Sequence, residues 1–313
     1  MIATCHYNDF RPLSTCTELK HRHHETISAV LPALNEEQTI GPIVRAIREF
    51  MESTAFIDEI IVMDGGSIDA TIYNAQQAGA RVVHVQDIQP EVTAQGKGVA
   101  MWKAQFVASG SILVFIDADL VNFDERYIVG PAGALLHNRT LELVKAFYRR
   151  PFSNGAIVLD DNGGRVTELF LRPLLNLFLP ELSELIQPLA GEYAVRRESL
   201  ASKTFVSGYG VETALLLDYY FTHGIEAIGQ VDLEIRTHRN RSLPELSRMA
   251  FEIGAVFFDM LEERNSCTIR QPNNTIITTW ESGAITRQQF EGVRLPPKNT
   301  LYGAVPDVSR SDS

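Results

Sequence analysis

Three cysteines in 313 residues, Cys5, Cys16 and Cys267, are too few, too scattered and odd in number for a disulfide framework, and none has metal-knuckle spacing. No apolar run approaches the ~18 residues that span a bilayer, and the polar, histidine-bearing N-terminus lacks the basic-then-apolar order of a secretory signal. The cytoplasm is the expected location, with no membrane as partner. Positive charge is also short: 28 Lys and Arg against 39 Asp and Glu give a formal net charge of -11, which disfavours nucleic acid as a partner. An anionic substrate stays within reach where Arg and Lys are concentrated in one cleft. What is present is a 45% apolar composition, enough to bury a full core in one large α/β domain with an appendage or in two small domains.

The most informative stretch is Ser111-Ile112-Leu113-Val114-Phe115-Ile116-Asp117-Ala118-Asp119, an apolar run that stops at two carboxylates flanking one small residue. Such a run reads as a strand buried on both faces, and its carboxyl end is where open α/β sheets keep their ligand crevices. In extended backbone the side chains at i and i+2 point the same way. Asp117 and Asp119 can therefore serve one ligand, and hard carboxylate oxygens suit Mg²⁺ or Mn²⁺. The preceding segments supply the framework. Thr26 to Leu31 is a β-rich run ending at Pro32, and Glu36 to Phe50 carries Ile40, Ile43, Val44 and Ile47 at the helical period. Ile57 to Met63 predicts a second strand, Ile68 to Ala78 a second helix, and Arg81 to Val85 a third strand. This βαβαβ alternation demands right-handed crossovers and a mostly parallel central sheet with helices on both faces. Residues 1–25 show no sustained period and are expected as a flexible N-terminal segment. Within them His21-Arg22-His23-His24 reads as solvated, because no partner acids or thiols lie nearby.

Three loops at strand carboxyl ends open onto one edge: Pro32-Ala33-Leu34-Asn35-Glu36, Asp64-Gly65-Gly66-Ser67 and Asp117-Ala118-Asp119. Asp64 followed by two glycines allows close backbone approach to a ligand, while its carboxylate can take hydrogen bonds from a base or ribose. A turn with Ser67 capping the next helix explains the same residues. Gly96-Lys97-Gly98 precedes another helix and sets a cation beside backbone N–H groups, as a phosphate requires, although it lacks the long glycine-rich spacing of a Walker loop. In the second half Leu141 to Tyr148 predicts a strand. Gly163-Gly164-Arg165-Val166-Thr167-Glu168 opens a helix interrupted by Pro173, and its N–H donors, arginine and hydroxyl fit a phosphate or carboxylate. An exposed arginine at an ordinary helix start is the plainer reading. Gly191-Glu192-Tyr193, Gly208-Tyr209-Gly210-Val211-Glu212 and Arg236-Thr237-His238-Arg239-Asn240-Arg241 follow. Glu212 also suits the helix dipole as a first-turn acid, and His238 also fits a satisfied core position.

In this order, the segments resemble the glucosyl-3-phosphoglycerate synthases, retaining glycosyltransferases of the GT-A fold, a Rossmann-like α/β architecture. The resemblance runs from about Ile27 to Leu261. Val30 to Glu37, Gly96-Lys97-Gly98 and Phe115 to Asp119 are shared by many GT-A transferases. Gly163 to Leu169, Gln187 to Ala194, Gly208 to Glu212 and Arg236 to Arg241 are specific to this family. The resemblance implies transfer of glucose from a nucleotide diphosphate sugar, UDP-glucose favoured, to D-3-phosphoglycerate with retention, a step towards the compatible solute glucosylglycerate. Carried over by position, Pro32, Ala33, Leu34, Glu36, Asp64, Gly65, Gly66, Lys97, Asp117 and Ala118 hold the donor. Gly164, Arg165, Thr167, Tyr209, Arg236 and Asn240 serve the acceptor, and Asp119 and His238 bind the divalent metal, Mg²⁺ or Mn²⁺. Glu212, Lys97 and Asp119 carry the catalysis. Ala118 and Gly65 stand where serines are common, and each removes one side-chain hydrogen bond to the nucleotide. Residues 26–140 then form the nucleotide-sugar half and 141–242 the acceptor half of one catalytic domain. A C-terminal helix spans 243–265, and a partly mobile extension spans 266–313. A homodimer is expected, the amphipathic helix from Leu243 completing the core or packing on another subunit.

The chemistry agrees with the residue types. Breaking the bond to the anomeric carbon leaves growing negative charge on the departing diphosphate, which a cation and Lys97 stabilise more in the transition state than in the ground state. The acceptor phosphate needs its own cationic pocket, which Arg165 provides. No obvious enzymic nucleophile is present, so same-face attack assisted by the leaving diphosphate is favoured. The alternatives are a related transferase using GDP-mannose or another acceptor, and a nucleotide-sugar sensor that binds without transfer.

Overall fold

The computed structural model describes residues 1–149, 164–236, 242–264 and 292–301, together with the backbone of 152–153, 158–159, 276–281 and 284–289. The expectations for His238 and Asn240, and for the end of the chain beyond residue 301, lie outside the described residues. The strands are β1 (Ala3–His6), β2 (Ile27–Ala33), β3 (Glu59–Asp64), β4 (Arg81–His84), β5 (Ile112–Phe115), β6 (Leu143–Arg149), β7 (Phe152–Ser153), β8 (Val158–Leu159), β9 (Tyr193–Arg196), β10 (Phe205–Val206), β11 (Ile228–Ile235), β12 (Ile276–Glu281), β13 (Ala284–Gln289) and β14 (Arg294–Leu295). Eight of them form one sheet in the order β1-β11-β6-β9-β5-β2-β3-β4. Within this sheet every pairing is parallel except those of β9, which runs against both β5 and β6. The expected mostly parallel α/β sheet is therefore present, with one reversed strand near its middle.

The helices α1 (Leu13–Arg22), α2 (Ile40–Thr54), α3 (Thr71–Ala78), α4 (Lys97–Ala104), α5 (Arg126–His137), α6 (Arg172–Phe178), α7 (Arg197–Leu200), α8 (Val211–His223) and α9 (Leu243–Glu263) cover both faces. Strand residues divide between two cores at the two-residue period of extended chain. Ile112, Val114 and Ile116 enter one core with Ile27, Ala29 and Leu31, whereas Leu113 and Phe115 enter the other with Val30, Ile61 and Met63. Burial on both faces is why these strands read as continuous apolar runs. A five-residue π-helical turn, Thr167–Leu171, leads into α6, whose first turn contains Pro173. The missing proline N–H accounts for the interruption expected there. Ser242 and Glu245 form a reciprocal cap at the start of α9, with Ser242 N donating to Glu245 at 2.7 Å.

The N-terminal expectation is corrected. Residues 1–25 are not a loose arm: β1 extends the sheet beside β11, Ile2 and Phe10 are buried, and Lys20 pairs with Asp58 at 2.8 Å. A segment without its own apolar period gains order here from a neighbouring strand's open ladder and from ion pairs, Arg11 with Glu125 and Glu25 with Arg196 among them. The His21 to His24 run ends α1 with His21, Arg22 and His24 exposed, as the solvated reading requires. Among the described residues, no helix is long and apolar enough to cross a membrane.

Candidate active site

The carboxyl edge of the sheet carries the chemistry, and the strand order explains its arrangement. Asp64 ends β3, Pro32 and Ala33 end β2, Asp117 and Asp119 follow β5, and Arg236 follows β11. Reversed β9 brings its beginning to this edge, so Gly191 and Glu192 sit between the acids after β5 and Tyr148 of β6. A cleft of about 1130 Å³ opens above these ends. It lies at the upper end of the size range of ligand clefts.

Lys97, the first residue of α4, places its ammonium 2.6 Å from Asp117 Oδ1 and 2.7 Å from Glu212 Oε1. Burial would depress this lysine, but Asp117 and Glu212 outweigh it and hold its pKa well above the usual value. On the other side of Asp117, Arg236 Nη2 donates to Asp117 Oδ2 and to Asp119 Oδ1, both at 3.0 Å. Burial acting alone would raise the Asp117 carboxyl. Lys97 and Arg236 reverse that and keep it well below the ordinary range. Behind Arg236, Nη1 donates to Tyr148 Oη at 2.7 Å and to Glu192 at 3.1 Å. Two glycines make this packing possible. A Cβ on Gly191 would lie 2.4 Å from Asp117 Oδ1 and 2.6 Å from Lys97 Nζ, and one on Gly98 would meet Val206 O at 1.9 Å.

On the β2 and β3 side, Asp64 is 2% exposed and accepts from Gly66 N and Ser67 N, both at 3.1 Å. Its carboxylate therefore shapes the turn that presents the Gly65 and Gly66 backbone. Ser67 is not the helix cap that a turn reading would make it: its hydroxyl accepts from Asn35 N at 3.0 Å, and α3 starts later, at Thr71. Thr39 Oγ1 donates to Ala118 O at 2.6 Å, tying the two loops together.

The family metal is tested by the chemistry of the donor set. Asp119 presents a carboxylate about a third exposed to the cleft, and Glu36 nearby is held above the usual carboxylate range, first by burial and then by Asp119. Negative charge that raises a neighbouring acid, carried on hard oxygens, fits a divalent cation. Among the described residues no three His, Cys, Asp or Glu converge on one point.

The cleft brings together nearly all the residues singled out from sequence. Pro32, Ala33, Leu34, Glu36, Asp64, Gly65, Gly66, Lys97, Asp117, Ala118 and Asp119 line it, as do Gly164, Arg165, Thr167, Tyr209, Glu212 and Arg236. Three contributors carried no assigned role. Glu192 and Tyr148 form the buried wall behind Arg236, and Lys145 lies beneath the floor, donating to Ala190 O at 2.6 Å with its ammonium 4.6 Å from the Tyr193 ring. The glycine-flanked Gly191-Glu192-Tyr193 was the one available signal for the first, and Lys145 is a cation within a strand 2% exposed.

An open sheet with a nucleotide-type crevice, an acidic pair at a strand end and a lysine at a helix start is the architecture of a glycosyltransferase. The model of glycosyl transferase family 2 matches residues 28–129. Glucosyl-3-phosphoglycerate synthase of Petrotoga mobilis is 44% identical over 260 residues, covering 82% of this chain and 80% of the relative. The same enzyme of Mycobacterium tuberculosis is 46% identical over 248 residues, 78% of this chain and 76% of the relative. The solved structure of that mycobacterial enzyme with Mn²⁺, UDP-glucose and phosphoglyceric acid superposes with a TM-score of 0.82 at 38% identity, over 96% of this chain and 99% of that one. Mannosyl-3-phosphoglycerate synthase from Rubrobacter xylanophilus superposes with a TM-score of 0.86 at 34% identity, over 96% and 97%. The chain belongs to the glucosyl-3-phosphoglycerate synthase family.

Proposed function

We propose that this chain transfers glucose from UDP-glucose to D-3-phosphoglycerate with retention at the anomeric carbon, assisted by Mg²⁺ or Mn²⁺ held by Asp119 and His238. One observation carries the reading: the Lys97, Asp117, Arg236 and Asp119 centre shares a single cleft with Gly164, Arg165 and Thr167. Two anionic groups, the donor diphosphate and the acceptor phosphate, can thus be gripped at once without sharing a cation. When bound, the metal supplies Lewis-acid stabilisation of the departing diphosphate.

The protein's own groups do the rest. Lys97 is held charged by its two carboxylate neighbours and stands ready to take a departing phosphate oxygen. The backbones of Pro32 to Leu34 and of Gly65 and Gly66 orient the nucleoside. Arg165 and Thr167 receive the acceptor phosphate, fixing the attacking hydroxyl near the sugar. Glu212 is ion-paired with Lys97, which makes it a poor nucleophile and supports a role in positioning the acceptor hydroxyl. That pairing supports same-face attack, which a covalent glycosyl adduct on Glu212 would overturn.

A second reading, transfer of mannose from GDP-mannose, is favoured by the fold's similarity to the Rubrobacter mannosyl enzyme. The deciding experiment is a panel of UDP-, ADP- and GDP-glucose and GDP-mannose with 3-phosphoglycerate or glycerate, with and without chelator. The expected outcome is turnover with UDP-glucose and 3-phosphoglycerate, lost on chelation and lost with glycerate. Equal turnover of glycerate would remove Arg165 as the phosphate reader, and preference for GDP-mannose would establish the second reading.

A further inference from the structure

The wall behind the acidic pair is built more elaborately than packing requires. Arg236 is 4% exposed, and its fork is shared between two environments. Nη2 faces the cleft acids, Asp117 and Asp119, while Nη1 faces Tyr148 and Glu192. Glu192 has no exposed surface, and Tyr148 donates its phenol proton to Glu192 Oε2. Gln187 reaches from the preceding loop to the backbone carbonyl of Tyr148, and the guanidinium carbon stands 5.4 Å from the Tyr148 ring centre. A carboxylate taken so completely from water is costly, and it persists only where its partners and its effect are specific. Its effect here is to counterbalance Arg236. Without Glu192 the full guanidinium charge would bear on Asp117 and on Asp119, the carboxylate proposed to hold the metal.

We propose that Glu192, with Tyr148, is a positioning residue: it holds Arg236 and offsets its charge so that Asp119 keeps enough negative charge to take the divalent metal. This rests on the proposed metal role of Asp119. Groups that stand behind the direct ligands and orient them change metal affinity by roughly 10- to 100-fold when altered. Electrostatics gives the sign, since removing one negative charge near the site weakens a cation's hold.

The test is direct Mn²⁺ binding, read by the loss of free-ion EPR signal, to the full chain with saturating UDP and no acceptor, so that turnover plays no part. Glu192→Gln is expected to weaken Mn²⁺ binding at least about 10-fold, with Glu192→Asp recovering most of the loss because the charge remains. Tyr148→Phe removes two hydrogen bonds, the one donated to Glu192 and the one accepted from Arg236, without changing charge and is expected to weaken binding about 2- to 5-fold. It also serves as the test if Glu192→Gln does not fold. Melting temperature and metal-free UDP affinity are followed in parallel to show that the cleft is intact. Mn²⁺ affinity within about twofold of wild type in the folded variants would overturn the proposal, as would Glu192→Asp weakened as much as Glu192→Gln. Failure of the wild-type chain to bind Mn²⁺ would overturn the metal role itself, and this proposal with it.

Discussion

Asp64 and Asp117 close strands that run parallel to one another, whereas Glu192 opens a strand that runs against both its neighbours, yet all three carboxylates share one edge of the sheet. On the parallel side each strand delivers its last residues to the cleft, and regular helical crossovers return the chain to start again. On the other side a single reversal delivers first residues instead. The parallel side holds its loops by side-chain bonds to backbone: Asp64 serves the Gly66 and Ser67 amides, and Thr39 ties down Ala118 O. The reversed strand's side uses buried side-chain charge, with Arg236, Glu192 and Lys145 all at most 4% exposed. Bonds to backbone need only one particular side chain, while paired buried charges depend on each partner.

The contrast can be broken or sharpened by substitution. The largest effect is expected for Lys97→Met, which removes the cation proposed to meet the departing phosphate and should lower kcat by about 100- to 1000-fold in initial-rate assays. A fall of less than about tenfold would move the burden of charge stabilisation away from α4. Next, Arg165→Ala should raise the KM for 3-phosphoglycerate by roughly 10- to 100-fold, with kcat changed much less, because a charged hydrogen bond to the acceptor is lost. A fall in kcat with unchanged KM would break the division of the cleft into donor and acceptor sides.

Lys145 offers a pH test of the charged side. Burial pushes its pKa down to about 8, and Glu212 restores only part of that loss. The unfolded chain keeps the ordinary value of 10.5. Between these values the unfolded state binds the additional proton, so this residue's contribution to stability rises with pH across that window. Urea unfolding at several pH values should show the wild type gaining on Lys145→Met by roughly 1 kcal/mol per pH unit from pH 8 upwards. Parallel curves would mean that the ammonium is not penalised by its burial. The smallest effect is expected on the backbone-held side. A Cβ on Gly65 meets Ala33 O at 3.5 Å, an ordinary contact, so Gly65→Ser fits and should tighten UDP binding by about 2- to 10-fold in calorimetry. Weaker binding would place the nucleotide away from this turn.

Legibility followed the same division. The apolar runs Ile57 to Met63 and Ile112 to Ile116 declare strands buried on both faces, and the acids that end them declare a site, because solvent-poor strand ends seldom carry carboxylates without use. Lys97 was marked by its glycine neighbours and Arg165 by its place in a helix-opening motif. Glu192 and Lys145 gave much weaker signals, since a charged residue beside or within a short apolar run reads equally well as a strand edge. Residues 1–25 were misread for a related reason: β1 has only four residues, and its order comes from the open edge of β11, which is more than 200 residues away in the chain.

The chain's own pattern determined the alternating α/β class, the parallel first half of the sheet and the identity of most cleft residues, because apolar periodicity and strand-end chemistry are local properties. Only the folded structure decided that β9 runs backwards between β5 and β6, and hence that Glu192 and Tyr148 back Arg236 against Asp117 and Asp119. Strand direction and the pairing of buried charges depend on neighbours brought together by closure of the sheet, and no short stretch of sequence encodes them.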